Sequence, residues 1–284
     1  MIPDFDQYLS EFIDNAIKED VGDGDHSSLS CIPAEAIDRA QLICKEEGII
    51  AGIDVAKKVF LRLDPTTKFE QFIEDGTAVK KGDIAFKVEL HTQKLLLAER
   101  LVLNIMQHMS GIATTTNKYV KLIDGLHTRL LDTRKTTPGM RLLDKLAVKI
   151  GGGVNHRIGL FDMIMLKDNH VDFAGGIVEA IERAQKYLKD TNRDLKIELE
   201  VRSMEELEIA LQHGGVDRVM LDNFDIPTTR KAVERIAGTV ETESSGGITI
   251  DTLRAYAETG VDYISVGALT HHVASLDMSL KAIN

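Results

Sequence analysis

Among the basic residues of one stretch of the chain, five hold positions that suggest a shared job. Arg134, Lys135, His156, Arg157 and Lys167 each lie just beyond, or at the end of, a short apolar run or a glycine cluster in LLDTRKTTPGMRLLDKLAVKIGGGVNHRIGLFDMIMLKDNH, Leu130 to His170. Cations on loops at strand ends build pockets for small polyanions. Arginine offers a planar fork that matches a carboxylate or phosphate, and lysine a compact point charge. The chain as a whole carries a net charge of −11, so a local cationic cluster marks a site and not a general basic surface. Any one of these residues alone reads as a surface charge, and His156 reads equally well as a satisfied structural imidazole. The common placement is what points to an anion site.

Acidic and glycine-bearing segments follow. Glu198 and Glu200 share one side of a strand because side chains alternate, and Asp222 closes a later one. An interstrand salt bridge is the plain reading of the glutamates. The functional one is oxygen ligation of Mg²⁺ or of sugar hydroxyls, or stabilisation of a sugar carbon that gains positive charge. Ser245-Gly246-Gly247 and Val266-Gly267-Ala268 open loops after two successive strands. In parallel barrels such loops often hold a phosphate through backbone N–H groups at helix N-termini. Gly151-Gly152-Gly153 reads as the end of a helix, and places His156 and Arg157. A ligand that joins a carboxylated small acid, a sugar and phosphates would use all three parts. The sequence has no GxGxxG, P-loop or nucleophile elbow, and no convincing Ser/His/Asp or Cys/His pairing.

The elements that must position these residues alternate from residue 128 onward. Strands are expected at 128–132, 163–167, 197–201, 218–222, 239–243 and 263–266, and helices at 140–150, 177–189, 204–212, 226–236 and 250–258. Repeated strand-then-helix implies a parallel sheet, whose strand ends meet at one mouth. Upstream, apolar spacing predicts a helix over 4–19, a loop at VGDGDHSS, short β runs between 36 and 90 around a helix IDVAKKVFLRL, and a long helix from about 92 that Gly111 is expected to break.

Composition bounds the rest. A length of 284 residues, 43% hydrophobic and 28% charged, is that of a soluble globular chain with room for a large barrel or two domains. Its acidity, with no basic stripe and interleaved aromatics, argues against a nucleic-acid partner. No apolar run nears the roughly 20 residues needed to span a bilayer. MIPDFDQYLSEF lacks a signal layout, and Cys31 and Cys44 lack metal-ligand spacing. The expectation is a cytoplasmic protein with no membrane contact.

At these residues the chain resembles the quinolinate phosphoribosyltransferase family. The motifs are ED-V-GDGD at 19–25, AERLVLNIMQHMSGIAT from Ala98, DTRKTTPG from Asp132, GGGVNHRIGLFDMIMLKDNH from Gly151, ELEV, MLDNF, ESSGG and VDYISVGALTH, in the family's order. The resemblance implies an α/β fold: an open, incomplete parallel α/β barrel over 116–271, plus an N-terminal α+β sandwich over 1–115 rejoined by 272–284. It implies transfer of phosphoribosyl from phosphoribosyl pyrophosphate to quinolinate with loss of CO₂, a requirement for Mg²⁺, and a homodimer or higher homo-oligomer. By that resemblance Arg134 and Arg157, with Arg100 from a neighbouring subunit, clamp quinolinate's carboxylates. Thr133, Lys135, His156 and Lys167 line the same pocket, and the lysines also meet pyrophosphate. Glu200 and Asp222 face ribose and Mg²⁺, the metal contact direct or indirect, with Lys135, Glu200 and Asp222 as the catalytic set. Ser245, Gly246, Gly247, Val266, Gly267 and Ala268 cradle the 5′-phosphate. A related enzyme acting on nicotinate, or a silent sugar-phosphate-binding barrel, is the alternative.

Overall fold

The site-bearing strands are short. They are β6 (Arg129–Leu131), β7 (Ile164–Leu166), β8 (Ile197–Val201), β9 (Arg218–Asp222), β10 (Glu241–Ser245) and β11 (Tyr263–Ser265). The computed structural model describes residues 4–283, so the expected outer limits at 1 and 284 lie outside the described residues. The chain divides into two compact units: among the described residues one holds 118–135 and 153–268, the other 4–117, 136–152 and 269–283. The division is therefore not a single cut, since 136–152 packs with the N-terminal residues.

In the first unit all six strands are parallel, in the order β6-β11-β10-β9-β8-β7. β6 and β7 stand at the two ends, which makes this an open barrel sheet. Between the strands run α6 (Asp168–Ala174), α7 (Ile177–Thr191), α8 (Met204–His213), α9 (Ile226–Ile236) and α10 (Leu253–Ala257), and α11 (Ala268–His271) follows β11. Alternation assigns the two faces. Leu199, Val201, Val219 and Leu221 pack outward on Ile181, Leu207, Ala210, Ala232 and Ile236 of the helices. Glu198, Glu200, Arg218 and Asp222 take the opposite face. Helix starts are fixed locally: Ser203 accepts from the Glu206 amide at 3.3 Å to cap α8, and Asp225 accepts from the Thr228 amide at 2.8 Å to cap α9. The expected bounds of β8, β9 and α9 match those observed, β10 begins two residues late, and α10 is shorter than its apolar spacing suggested.

The second unit is built on an antiparallel sheet, β12-β1-β5-β3, of β1 (Ile37–Cys44), β3 (Lys68–Gln71), β5 (Ile84–His91) and β12 (Met278–Ile283). The tail strand β12 pairs with β1 from Arg39↔Ile283 to Cys44↔Met278. A small ladder joins β2 (Gly48–Ile49) to β4 (Ala78–Val79). Its helices are α1 (Phe5–Val21), α2 (His26–Cys31), α3 (Ile53–Leu63), α4 (Thr92–Leu122) and α5 (Arg141–Ile150). α2 lies where a loop was expected, because Asp25 caps it through the Ser28 amide at 3.2 Å. α4 does not break at Gly111 but runs for 31 residues. A Cβ at Gly111 would sit 2.3 Å from the Ala274 carbonyl oxygen, so this glycine admits a crossing chain rather than ending a helix. Asp144 of α5, fully buried, bonds His108 Nε2 at 2.7 Å and accepts from the Thr137 amide at 2.9 Å, which ties down the start of the TTPG turn. No helix among the described residues is long and apolar enough to cross a membrane.

Candidate active site

Parallel strands put all their C-terminal ends on one edge of the sheet, so the polar residues that close each apolar run share that edge. Thr133, Arg134 and Lys135 follow β6, and Lys167 follows β7. Glu200 is the penultimate residue of β8 and Asp222 the last of β9. Ser245 ends β10, and Val266, Gly267 and Ala268 follow β11. The register Leu166↔Leu199 sets Lys167 opposite Glu200, and its Nζ donates to Glu200 Oε2 at 2.7 Å.

Asp222 pairs in register with Ser245. Burial raises its carboxyl pKa above the usual carboxylate range, and the Glu200 charge pushes it further. The bond from Asn223 and the charge of Lys167 pull the other way. The two acids therefore feel each other across the rim, with one amine close to both. Asn223 sits in the left-handed region at φ +56, donates from Nδ2 to Asp222 Oδ2 at 2.7 Å, and donates its amide to the Ser245 carbonyl at 2.9 Å. Gly246, at φ +96, passes so close that a Cβ there would lie 2.2 Å from Asn223 Oδ1. The Ser245–Gly247 turn and the Asp222 carboxylate are thus built against each other. Sequence reasoning missed Asn223, which an Asn directly after a strand-ending Asp could have signalled as a left-handed turn.

The two arginines act on each other through their charges. Burial lowers the pKa of the half-buried Arg157, and the charge of Arg134 lowers it again. The Arg157 loop is shaped by Asp162, whose carboxylate accepts from the Ile158 amide at 2.7 Å and the Gly159 amide at 2.8 Å. Arg134 and Lys135 are exposed, and the Lys135 amide donates to Thr133 Oγ1 at 3.0 Å. Arg100 lies exposed on α4, in the other unit.

His156 differs from the expectation of a pocket-lining imidazole. Its side chain is 5% exposed, and its Nε2 lies 3.0 Å from Glu198 and 3.3 Å from Glu243, both fully buried. Arg218 joins them, bonding Glu243 at 3.1 Å and Glu241 at 3.0 Å. Burial opposes a charged ring and the two carboxylates favour it, for a net rise in pKa. The Arg157 amide decides the matter, because it donates into Nδ1 at 2.7 Å, and a nitrogen that accepts carries no proton. The ring proton is therefore on Nε2. Burial and the Glu243 charge raise the Glu198 carboxyl pKa. Glu198 lies in this buried group and Glu200 at the rim, and His156 accepts from the Arg157 backbone beside it.

Comparison with known proteins agrees along the whole chain. Residues 112–281 match the family model for the quinolinate phosphoribosyl transferase C-terminal domain, and residues 25–110 that for the N-terminal domain. The chain is 46% identical over 289 residues to the chloroplastic nicotinate-nucleotide pyrophosphorylase (carboxylating) of Oryza sativa subsp. japonica, covering 96% of this chain and 77% of that protein. It is 40% identical to a probable nicotinate-nucleotide pyrophosphorylase (carboxylating) of Bacillus subtilis, covering 96% and 92%. Among solved structures, NadC from Streptococcus pyogenes superposes with a TM-score of 0.92 at 35% identity over all of both chains. The nicotinate-nucleotide pyrophosphorylase of Francisella tularensis does so with 0.91 at 40% identity, over 100% of this chain and 98% of that one. On these matches, which span both of its units, the chain belongs to the quinolinate phosphoribosyltransferase family.

Proposed function

We infer that this chain transfers the phosphoribosyl group of phosphoribosyl pyrophosphate to quinolinate, with loss of CO₂, giving nicotinate mononucleotide for NAD biosynthesis. The observation that carries the residue assignment is the tie between the two arginine-bearing segments, where the Asp132 carboxylate, two residues before Arg134, accepts from the His156 amide just before Arg157 at 2.8 Å. Two guanidiniums near enough for one to lower the other's pKa suit a dianion, which answers both charges at once. Quinolinate's adjacent carboxylates are such a dianion. Arg100 from a second subunit completes the clamp in this reading, which requires a homo-oligomer.

Glu200 and Asp222 suit a hard cation. Both offer carboxylate oxygens, and burial and the Glu200 charge leave Asp222 short of positive partners. Mg²⁺ held there, directly or through water, would offset the charge that builds on the departing pyrophosphate. Lys135 and Lys167 face the same leaving group as point charges. As the carbon–oxygen bond breaks, its electron pair leaves with pyrophosphate, and the Glu200 and Asp222 carboxylates face the sugar carbon that becomes positive. The clamp holds the pyridine nitrogen over that carbon, and its lone pair forms the new bond. The ring is then cationic and accepts the electron pair released when the neighbouring carboxylate leaves as CO₂. A proton from water fills that position. Backbone N–H groups of Ser245–Gly247 and Val266–Ala268 hold the 5′-phosphate, which keeps the sugar fixed throughout.

The test is turnover with quinolinate, phosphoribosyl pyrophosphate and Mg²⁺, following mononucleotide and CO₂ together, with nicotinate as the comparison substrate. Arg134→Ala is expected to cost about 2–5 kcal/mol of kcat/KM for quinolinate, the range for removing one partner of a bonded charge pair. Wild-type kcat/KM in that variant would end the clamp assignment. Turnover of nicotinate in preference to quinolinate would end the substrate assignment.

A further inference from the structure

The two arginines of the clamp come from different loops, so something must fix one loop against the other. Arg134 follows β6, while Arg157 lies 23 residues on by number, beyond a helix that packs in the other unit. The chain returns beside β6 at Val154, which bridges Leu131 in parallel: the Val154 amide donates to the Leu130 carbonyl at 2.8 Å and the Asp132 amide to the Val154 carbonyl at 3.1 Å. The ladder stops there, short of either arginine. Past its end the Asp132 carboxylate takes over. Oδ1 accepts from the His156 amide at 2.8 Å and Oδ2 from Asn155 Nδ2 at 2.7 Å. Asp132 is fully buried, two residues before Arg134, and its two partners immediately precede Arg157.

We propose that Asp132 is a positioning residue for the quinolinate clamp: its carboxylate locks the Arg134 segment to the Arg157 segment, so that the two guanidiniums are held at the spacing of one diacid. The proposal rests on the clamp reading above. A buried carboxylate is costly unless its oxygens are bonded, and here each oxygen accepts a bond from the partner loop. An apolar residue would pack in the same space but would leave the His156 amide and the Asn155 side chain without their acceptor. The clasp bears chiefly on the diacid. Ser245–Gly247, Glu200 and Lys167 sit on other strands, and of the residues assigned to phosphoribosyl pyrophosphate only Lys135 lies on the clasped segment.

Asp132→Asn keeps the shape and one acceptor but turns an N–H₂ group toward Asn155. The expected result is a rise of about 10-fold in KM for quinolinate, the scale of one unmet buried bond, with a clearly smaller rise in KM for phosphoribosyl pyrophosphate and a lowered melting temperature. The exchange Asp132→Asn with Asn155→Asp restores a donor facing an acceptor, and most of the quinolinate KM is expected to return. An unmoved quinolinate KM, or equal rises for both substrates, would overturn the proposal, as would failure of the exchange to recover any of the loss. If Asp132→Asn does not fold, Asn155→Ala removes one of the two bonds from the far side. A quinolinate KM at the wild-type value there is equally fatal. Arg134→Ala separates the two claims: if it raises the quinolinate KM while Asp132→Asn does not, the clamp stands and only the clasp falls. If Arg134→Ala has no effect, both fall.

Discussion

Two acidic clusters share strands β8, β9 and β10, one step of the pleat apart, and they are solved in opposite ways. In the lower one, Glu198 and Glu243 are fully buried, and His156 and Arg218 lie against them at 3.0 to 3.3 Å. Each acid there lies against a basic side chain. In the upper one, Lys167 bonds Glu200, and the Asp222 carboxyl is raised by burial and by the Glu200 charge. A closed interior tolerates acids only when they are neutralised in place. A rim can leave the account open because a ligand closes it. The unbalanced cluster is therefore the one to read as functional, although the balanced one is richer in ionisable groups.

The largest expected effect tests the balanced side. Glu243→Ala removes one partner from a buried set and leaves His156 and Arg218 facing a cavity. A loss of about 3–5 kcal/mol of stability is expected, the range for breaking a buried ion pair from one side. Denaturant unfolding measures it. Activity per folded molecule should fall far less than stability does. A variant as stable as the parent would show that the quartet contributes nothing to the fold.

The unbalanced side should behave in reverse. Glu200→Gln with Asp222→Asn is expected to lower kcat by about 10²–10³, the scale for losing preorganised charge at a transition state. Stability should hold or rise slightly. The sign follows from Asp222: its folded pKa is raised, so its ionised form costs the folded state free energy near neutral pH, and a neutral amide relieves that cost. A kcat near wild type together with a fall in melting temperature would reverse the roles of the two clusters.

How much of this could be read from the chain depends on whether the information is local. Strand and helix positions in the barrel unit were legible because β8 and β9 are apolar runs closed by a polar residue, and α9 follows a capping Asp225 and a proline. The rim residues were legible for the same reason. What distinguishes Glu198 from Glu200 was not, since both face inward and only depth in the barrel separates them. The same depth turned His156 into an internal partner. Gly111 misled because its cause is the Ala274 carbonyl far along the sequence. The grouping of 136–152 with the N-terminal unit is equally non-local: Tyr8 donates its hydroxyl to the Gly139 carbonyl, and His108 bonds Asp144. Asp132 was in plain view as the first letter of DTRKTTPG, but its role depends on the loop that returns beside it.

The smallest expected effect sets the lower limit of the comparison. β10 carries Glu241, Glu243 and Ser245 at successive inward positions, from the closed end of the sheet to the rim. Glu241 also bonds Arg218, at 3.0 Å, yet its side chain is 34% exposed where Glu243 is fully buried. Water can replace most of what Glu241 gives, and Arg218 keeps both Glu243 and its stacking over the Tyr263 ring at 4.1 Å. Glu241→Gln should therefore cost less than about 1 kcal/mol of stability, as exposed ion pairs do, and leave kcat/KM unchanged. Set beside Glu243→Ala, the substitution asks whether depth alone ranks two acids that bind the same guanidinium. A loss at Glu241 as large as that at Glu243 would mean that Arg218 needs both carboxylates, and that the lower cluster extends to the bottom of the barrel instead of ending one layer beneath the rim.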